Sequence, residues 1–233
     1  MKTRRIIGIC IVLLGLAVIA LPYLQNAGDD RAQEASAAEL EQLIANGAQD
    51  LSVLVNVEEA SSDEIETWDA DGEIRIHPLP TPVPLNGKIS LDRLGIIYIE
   101  RIDSKQPIVE GAGKTELKHG IGHVSGTAAI GDYGNCVLAG HRNYTYGSMW
   151  NRLNEVQIGD FIKVTDANNV VWTYEVYNQL TVEPSESAVV LQQTLKDPEE
   201  KRLTLFTCTP VRVASHRLVF QCRLVGEPEM PSV

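Results

Sequence analysis

Clustered metal ligands are missing from this chain. Its four cysteines, Cys10, Cys136, Cys208 and Cys222, are scattered over 233 residues. There is no C-x-x-C and no H-E-x-x-H, so a structural zinc site is not expected, and neither is any other metal or cofactor. No basic stripe or aromatic-plus-basic motif occurs, which removes nucleic acid from the expected partners. Internal repeats are absent, and the only low-complexity tract is a short proline-rich stretch, so this is not a repeat array. Helical periodicity is scarce beyond residue 86, which argues against an all-α head.

The charge is one-sided but local. The formal net charge is −11, and residues 26–76 hold 14 acidic residues against Arg31 and Arg75. From residue 86 onward 17 acids meet 15 bases, so that part is nearly neutral. At the other extreme, Lys2, Arg4 and Arg5 precede an uncharged apolar run from Ile6 to Leu24. Nineteen such residues make about enough helix to span a bilayer. The bulky sequence Leu21, Pro22, Tyr23, Leu24, Gln25 offers no small-x-small cleavage site, so an uncleaved anchor is expected rather than a signal peptide. The basic flank would remain cytoplasmic, leaving everything after Leu24 outside a cell membrane crossed once.

Four segments follow from these shifts: residues 1–25 as basic end and transmembrane anchor, 26–85 as an acidic, Pro-rich extracytoplasmic stalk, 86–226 as the catalytic domain, and 227–233 as a short polar tail. Within the stalk, Asp29–Ala45 reads as a polar helix with a narrow apolar stripe of Ala37, Leu40 and Ile44. Pro78, Pro80, Pro82 and Pro84 enforce an extended spacer of about 3 Å per residue. The acidity of the stalk reads as a solvated region.

From Gly87 short apolar runs alternate with Gly, Asn and Asp. They predict strands at Ile96–Glu100, Cys136–His141, Phe161–Thr165, Val170–Tyr177, Arg202–Cys208 and Leu218–Val225, with a turn at Asp166–Asn169. Short helical pieces are expected at Ser148–Leu153 and Ala188–Leu195. The fold class is therefore all-β, a barrel or sandwich of roughly 140 residues.

The run Thr204, Leu205, Phe206, Thr207, Cys208, Thr209, Pro210 ends an apolar strand in a thiol, and Arg217 follows nine residues after it. With His141 at the end of another apolar strand, the chain holds a nucleophile, a proton carrier and an oxyanion stabiliser, the parts for thiol-based acyl transfer. Alternation of side chains along a strand sorts the remaining thiols. Cys222 shares a face with Leu218, Phe220 and Leu224, opposite Arg217; Cys136 shares one with Leu138, opposite His141. Both read as small core residues. His77, His119, His123 and His216 each read as structural, with His123, in a glycine-flanked loop, the one of them most able to line a groove.

Thr204, Leu205, Thr207 and Cys208 match the T-L-x-T-C signature of the sortases, cell-wall cysteine transpeptidases of Gram-positive bacteria. Ala139, Gly140 and His141 resemble the family's histidine motif, and His216, Arg217 and Leu218 its arginine motif, in the same order, over about residues 86–225. The resemblance implies an eight-stranded sortase-type β-barrel with short helices. It also implies a two-step reaction in which Cys208 cleaves an LPxTG-like sorting signal between Thr and Gly and an amine resolves the acyl-enzyme. His141 and Arg217 would complete the catalytic set, with Thr207 adding a hydrogen bond. By analogy Ala188, Val189, Val190 and Leu191, in the connection 181–201, would cover the signal's leucine and proline. The implied partners are surface proteins or pilins bearing sorting signals, an amine acceptor (a cell-wall precursor peptide or a pilin lysine), and the membrane.

The Cys-to-Arg spacing and Thr209-Pro210 resemble the pilin-polymerising class C. No Asp-Pro-aromatic lid motif precedes the barrel, Trp68-Asp69 being the nearest, and the polar residues 226–233 follow it, which makes a class D-like anchoring enzyme a close competitor and leaves pilus assembly against protein anchoring open. Glu183 and Glu186 read as a solvated loop rather than a calcium site. The readings set against a transpeptidase are a thiol peptidase with water as acceptor and a non-catalytic β-barrel binding module.

Overall fold

The computed structural model describes residues 14–16, 31–56, 66–68, 74–76, 88–142, 149–186, 199–211 and 213–230. A helix over residues 31–45 (α1) leads into strand β1 (Val53–Asn56). The short strands β2 (Glu66–Trp68) and β3 (Ile74–Ile76) pair with each other, and β4 (Lys88–Leu91) pairs antiparallel with β1. Then come β5 (Arg93–Ile99), β6 (Ser104–Glu110), helix α2 (Lys114–His119), β7 (Ile121–His123) and β8 (Gly134–Gly140). The last four strands are β9 (Phe161–Asp166), β10 (Val171–Val182), β11 (Lys201–Thr209) and β12 (His216–Leu224).

Strands β5 to β12 close a barrel in the order β10, β12, β11, β8, β7, β6, β5, β9. Closure leaves no free sheet edge. The interior is filled by alternate residues of each strand: Leu138 of β8, Ile162 and Val164 of β9, Tyr174 and Val176 of β10, Leu203 and Leu205 of β11, and Leu218 and Phe220 of β12. Cys136 and Cys222 belong to this interior at 1% and 0% exposure, as strand alternation requires.

The six predicted strands fall within a residue or a few of β5, β8, β9, β10, β11 and β12. The turn after β9 forms as read: the Asp166 carboxylate accepts from the backbone N–H of Asn168 and Val170, and Asn169 takes a left-handed φ of 62°. Strands β6 and β7 had no clear signature, because β6 opens on Ser104, Lys105, Gln106 and Pro107, and β7 is only three residues long. The helical piece expected at Ser148–Leu153 is a run of turns at 149–152 followed by a 3-10 turn at Leu153–Glu155.

The first half of the expected stalk is packed against the barrel instead. Ala37, Leu40 and Ile44 do form the apolar stripe of α1, but that stripe is buried, with Leu40, Ile44 and Leu51 clustering on Ile96 of β5. Polar ties reinforce the docking. Arg93 Nε donates to the Leu51 carbonyl at 2.6 Å, Gln33 Nε2 donates to the Lys118 carbonyl at 2.8 Å, and Lys105 pairs with Glu41 at 3.0 Å. A stripe of three apolar side chains, too narrow for an isolated helix, suffices once a sheet surface lies opposite it. The proline tract at 78–84 and the apolar run 6–24, apart from 14–16, lie outside the described residues. Among the described residues no helix is long and apolar enough to cross a membrane.

Candidate active site

Three strand ends meet at one rim of the barrel. Strand β11 runs parallel to β8 with Thr207 opposite Gly140, so the next residues along the two strands, Cys208 and His141, leave the sheet side by side. On its other edge β11 is antiparallel to β12, and there Cys208 lies directly opposite Arg217. Cross-strand partners project to the same face. Cys208, His141 and Arg217, separated in sequence by up to 76 residues, are therefore neighbours through register alone.

All three project from the outer face of the barrel wall. Val137 and Ala139 precede His141 on that face, Phe206 precedes Cys208, and Val219 follows Arg217, while their alternates fill the interior. Val124, Val137 and Ala139, flanked by Leu117 of α2 and by Phe206, make a small apolar layer outside the barrel that ends at the Cys–His pair.

Cys208 is half-buried and its thiol is free. His141 sits at the exposed lip, yet the protein around the ring desolvates it and lowers its pKa below the ordinary 6.5. The neutral imidazole is thereby favoured near pH 7, the form able to accept a proton from a thiol or an amine. Arg217 Nη1 donates to the carbonyls of Ala214 and His216, at 3.2 and 3.3 Å. Ala214 holds a φ of 54°, which turns its carbonyl back toward the guanidinium. No carboxylate pairs with Arg217 among the described residues, so its charge is available to a developing oxyanion.

The seam between β8 and β11 is braced from behind. Thr207 is 1% exposed, and its hydroxyl donates to the Gly140 carbonyl at 2.6 Å. Expected as a substrate-binding residue, Thr207 stands in the structure as a buried brace between the two strands. Trp150, fully buried, lies so close to Gly140 that a Cβ there would run into its ring; its backbone N–H donates to the His141 carbonyl at 3.2 Å. Arg142 donates from Nη1 to Thr209 Oγ1 at 2.8 Å, from Nη2 to Asn154 Oδ1 at 2.6 Å, and from Nε to the Asn151 carbonyl at 3.2 Å. Sequence reasoning passed over Arg142; the only signal was its place directly after His141.

His123 lines no groove. It is buried inside the barrel, with Nδ1 2.7 Å from Glu110 Oε2, and Nε2 3.0 Å from the Ala128 carbonyl and 3.1 Å from Thr127 Oγ1. Burial alone would lower its pKa, but hydrogen bonding to Cys136 and Glu110 outweighs that and raises it to about 10. Glu110, drawn up by burial but held by His123 and Ser125, ends below the ordinary carboxylate value. His216 contacts Ser215 Oγ through Nδ1 at 2.9 Å, on the strand residue next to Arg217. Glu183 and Glu186 are exposed and fold on each other, the Glu183 N–H donating to Glu186 Oε2 at 3.5 Å. Ala188, Val189, Val190 and Leu191 lie outside the described residues.

Comparison with known proteins gives one consistent result. A family model described as the Sortase domain matches residues 97–225. Sortase D of Bacillus subtilis (strain 168) is 29% identical over 116 residues, which is 50% of this chain and 54% of that protein, so the chain spans about half the length of this relative. A Sortase D5 transpeptidase of Clostridium perfringens superposes with a TM-score of 0.51 at 31% identity, covering 58% of this chain and 80% of the other. A sortase C1 of Streptococcus agalactiae gives 0.53 at 27% identity, with 59% and 71% covered.

Proposed function

The chain belongs to the sortase family, and from that premise we propose that it is a membrane-anchored cysteine transpeptidase cleaving an LPxTG-like sorting signal. The observation that carries this reading is the register of β11, which puts Cys208 opposite Arg217 and beside the residue that follows Gly140.

The chemistry follows from those three groups. The Cys208 thiol passes its proton to the His141 imidazole, and the thiolate attacks the carbonyl carbon of the signal's threonine. Negative charge gathers on the carbonyl oxygen, where the Arg217 guanidinium, permanently protonated, stabilises it. The carbon–nitrogen bond to glycine then breaks, and the imidazolium gives its proton to the departing amine. A thioester between Cys208 and threonine remains. An incoming amine attacks it, loses a proton to His141, and displaces the sulfur to leave a new amide.

Several features support the finer parts of this reading. Lys2, Arg4 and Arg5 before the apolar run 6–24 favour an anchor with the barrel outside the cell, where sorting signals are processed. The small apolar layer ending at Cys208 suits a signal carrying leucine and proline, and residues 188–191 would cover it. The likeness to Sortase D of Bacillus subtilis and to the Clostridium perfringens Sortase D5 transpeptidase favours a class D-like enzyme, with a cell-wall precursor peptide as acceptor.

The test is to incubate the full-length chain with a labelled LPxTG peptide and three acceptors: an oligoglycine, a wall-type diamino acid peptide, and a lysine-containing pilin peptide. Amide adducts identified by mass spectrometry are expected, most with the wall-type amine. Cleavage without any adduct would instead assign a thiol peptidase using water, and no cleavage of any signal would sink the proposal.

A further inference from the structure

Arg142 stands where the two strands carrying the thiol and the imidazole leave the sheet. It follows His141 in sequence, and the group it grips most directly on the other strand, the Thr209 hydroxyl, belongs to the residue following Cys208. The guanidinium thus spans the gap between the two strands one residue beyond the reacting pair. Its other two bonds run to Asn154 Oδ1 and the Asn151 carbonyl, in the turn that also holds the His141 carbonyl through the Trp150 N–H. One planar group therefore ties together β8, β11 and the 149–155 turn.

The partners are unusual for an arginine. A hydroxyl, an amide oxygen and a backbone carbonyl are all neutral, and no carboxylate meets Arg142 among the described residues. Partial burial lowers its pKa through desolvation without a counter-charge to restore it. A guanidinium donates in fixed directions within one plane, whereas an ammonium is a compact point charge on a flexible stem. Three acceptors from three segments call for the rigid fork.

We propose that Arg142 is a positioning residue that sets the spacing between the His141 imidazole and the Cys208 thiol. It touches neither reacting atom. It acts by clamping the exits of β8 and β11, so that proton transfer between the pair takes place at one distance rather than over a range. This role rests on the reading of Cys208 and His141 as the catalytic pair, and a misplacement of about 1 Å in such a pair is enough to cost on the order of 100-fold in rate.

The experiment compares Arg142→Gln, Arg142→Lys, Thr209→Val and the Gln/Val double variant in the full-length chain. Arg223→Gln, which loses only an exposed pair with Glu175, is the control. Two readouts are taken: kcat and KM for sorting-peptide cleavage, and the rate of Cys208 alkylation by iodoacetamide from pH 5 to pH 9. Arg142→Gln and Arg142→Lys should each lower kcat 10- to 100-fold with KM changed less than twofold, and should shift the alkylation profile. Thr209→Val should lose part of that rate, and the double variant should lose no more than Arg142→Gln alone.

Wild-type kcat in both Arg142 variants, rescue by lysine, or strictly multiplicative losses in the double variant would overturn the proposal. If the wild-type chain cleaves no sorting peptide, the transpeptidase reading fails, and the alkylation profile still decides on Arg142. An unchanged profile with a lowered melting temperature would make it a structural tie only.

Discussion

Strand β8 serves two cysteine–histidine neighbourhoods that differ in almost every physical respect. At its far end His141 stands beside Cys208 on the outer face, at the exposed lip, with no carboxylate partner among the described residues and a pKa pushed down by desolvation. Near its start, inside the barrel, Cys136 lies close to His123, which is gripped by Glu110, the Ala128 carbonyl and Thr127, and whose pKa is raised to about 10. Under the proposed function the same two side-chain types react in one setting and are fixed in the other. In the proposed reaction the proton carrier must spend time in both protonation states, and no carboxylate among the described residues ties His141 to one, whereas Glu110 holds His123 as a cation. Reactivity here comes from what is withheld from a histidine as much as from what is placed beside it.

The sharpest way to test this contrast is to remove each thiol. Cys208→Ala should reduce peptide cleavage to background, while Cys136→Ser should keep most of the wild-type kcat and lose thermal stability; a dead Cys136→Ser that is still folded by circular dichroism would collapse the distinction. Next come the histidines. His141→Gln should lower kcat by about 10²- to 10⁴-fold, the usual worth of a positioned proton carrier, with an unchanged melting temperature. His123→Gln should leave kcat per folded molecule within a few-fold and cost about 1–3 kcal/mol of stability, read by urea unfolding.

A smaller effect separates the two by pH. The folded pKa of His123 lies above its ordinary 6.5, so its contribution to stability is complete below pH 6.5 and is lost as pH rises toward 10. Glu110 is depressed from 4.5, so its share is present above that value and is lost as pH falls below it. The melting-temperature gap between wild type and His123→Gln should therefore be widest between about pH 4.5 and 6.5 and should narrow on both sides, as followed by differential scanning fluorimetry. Smallest of all, Ser125→Ala removes the 2.7 Å hydrogen bond to Glu110 Oε1. It should cost roughly 1 kcal/mol, with activity unaltered.

Much of the cysteine site was legible because strand alternation is a strict rule. Once Leu218, Phe220 and Leu224 were assigned to the interior, Cys222 had to join them, and the same logic removed Cys136. What alternation does not give is the partner of a strand. Nothing in the sequence around Glu110 says that β6 will run parallel to β7 with Glu110 opposite His123, so His123 read as structural while the buried ion pair that holds it stayed invisible. Thr207 shows a related limit: its place in the T-L-x-T-C run suggested the substrate, but its direction is set by Leu218 across the strand pair, and it faces inward to Gly140. The docking of α1 was hidden for another reason. An acidic helix with three apolar residues looks solvated until the surface that receives it, Ile96 on β5, is known.

The parallel pairing of β8 with β11 has a consequence for how such a molecule can diversify. Because the two strands run the same way, the chain between His141 and Cys208 must leave the rim, build β9 and β10, and come back, yet the rim geometry is fixed by the seam and not by that excursion. The register that sets Cys208 beside His141 is made by β8 and β11 themselves, and connections between strands are where length and composition vary most freely. If the returning connection, residues 183–200, covers the sorting signal, as proposed, reaction and recognition are separately heritable: descendants of one chain can acquire new clients by rewriting a single crossover, while the proposed bond-making pair is inherited intact.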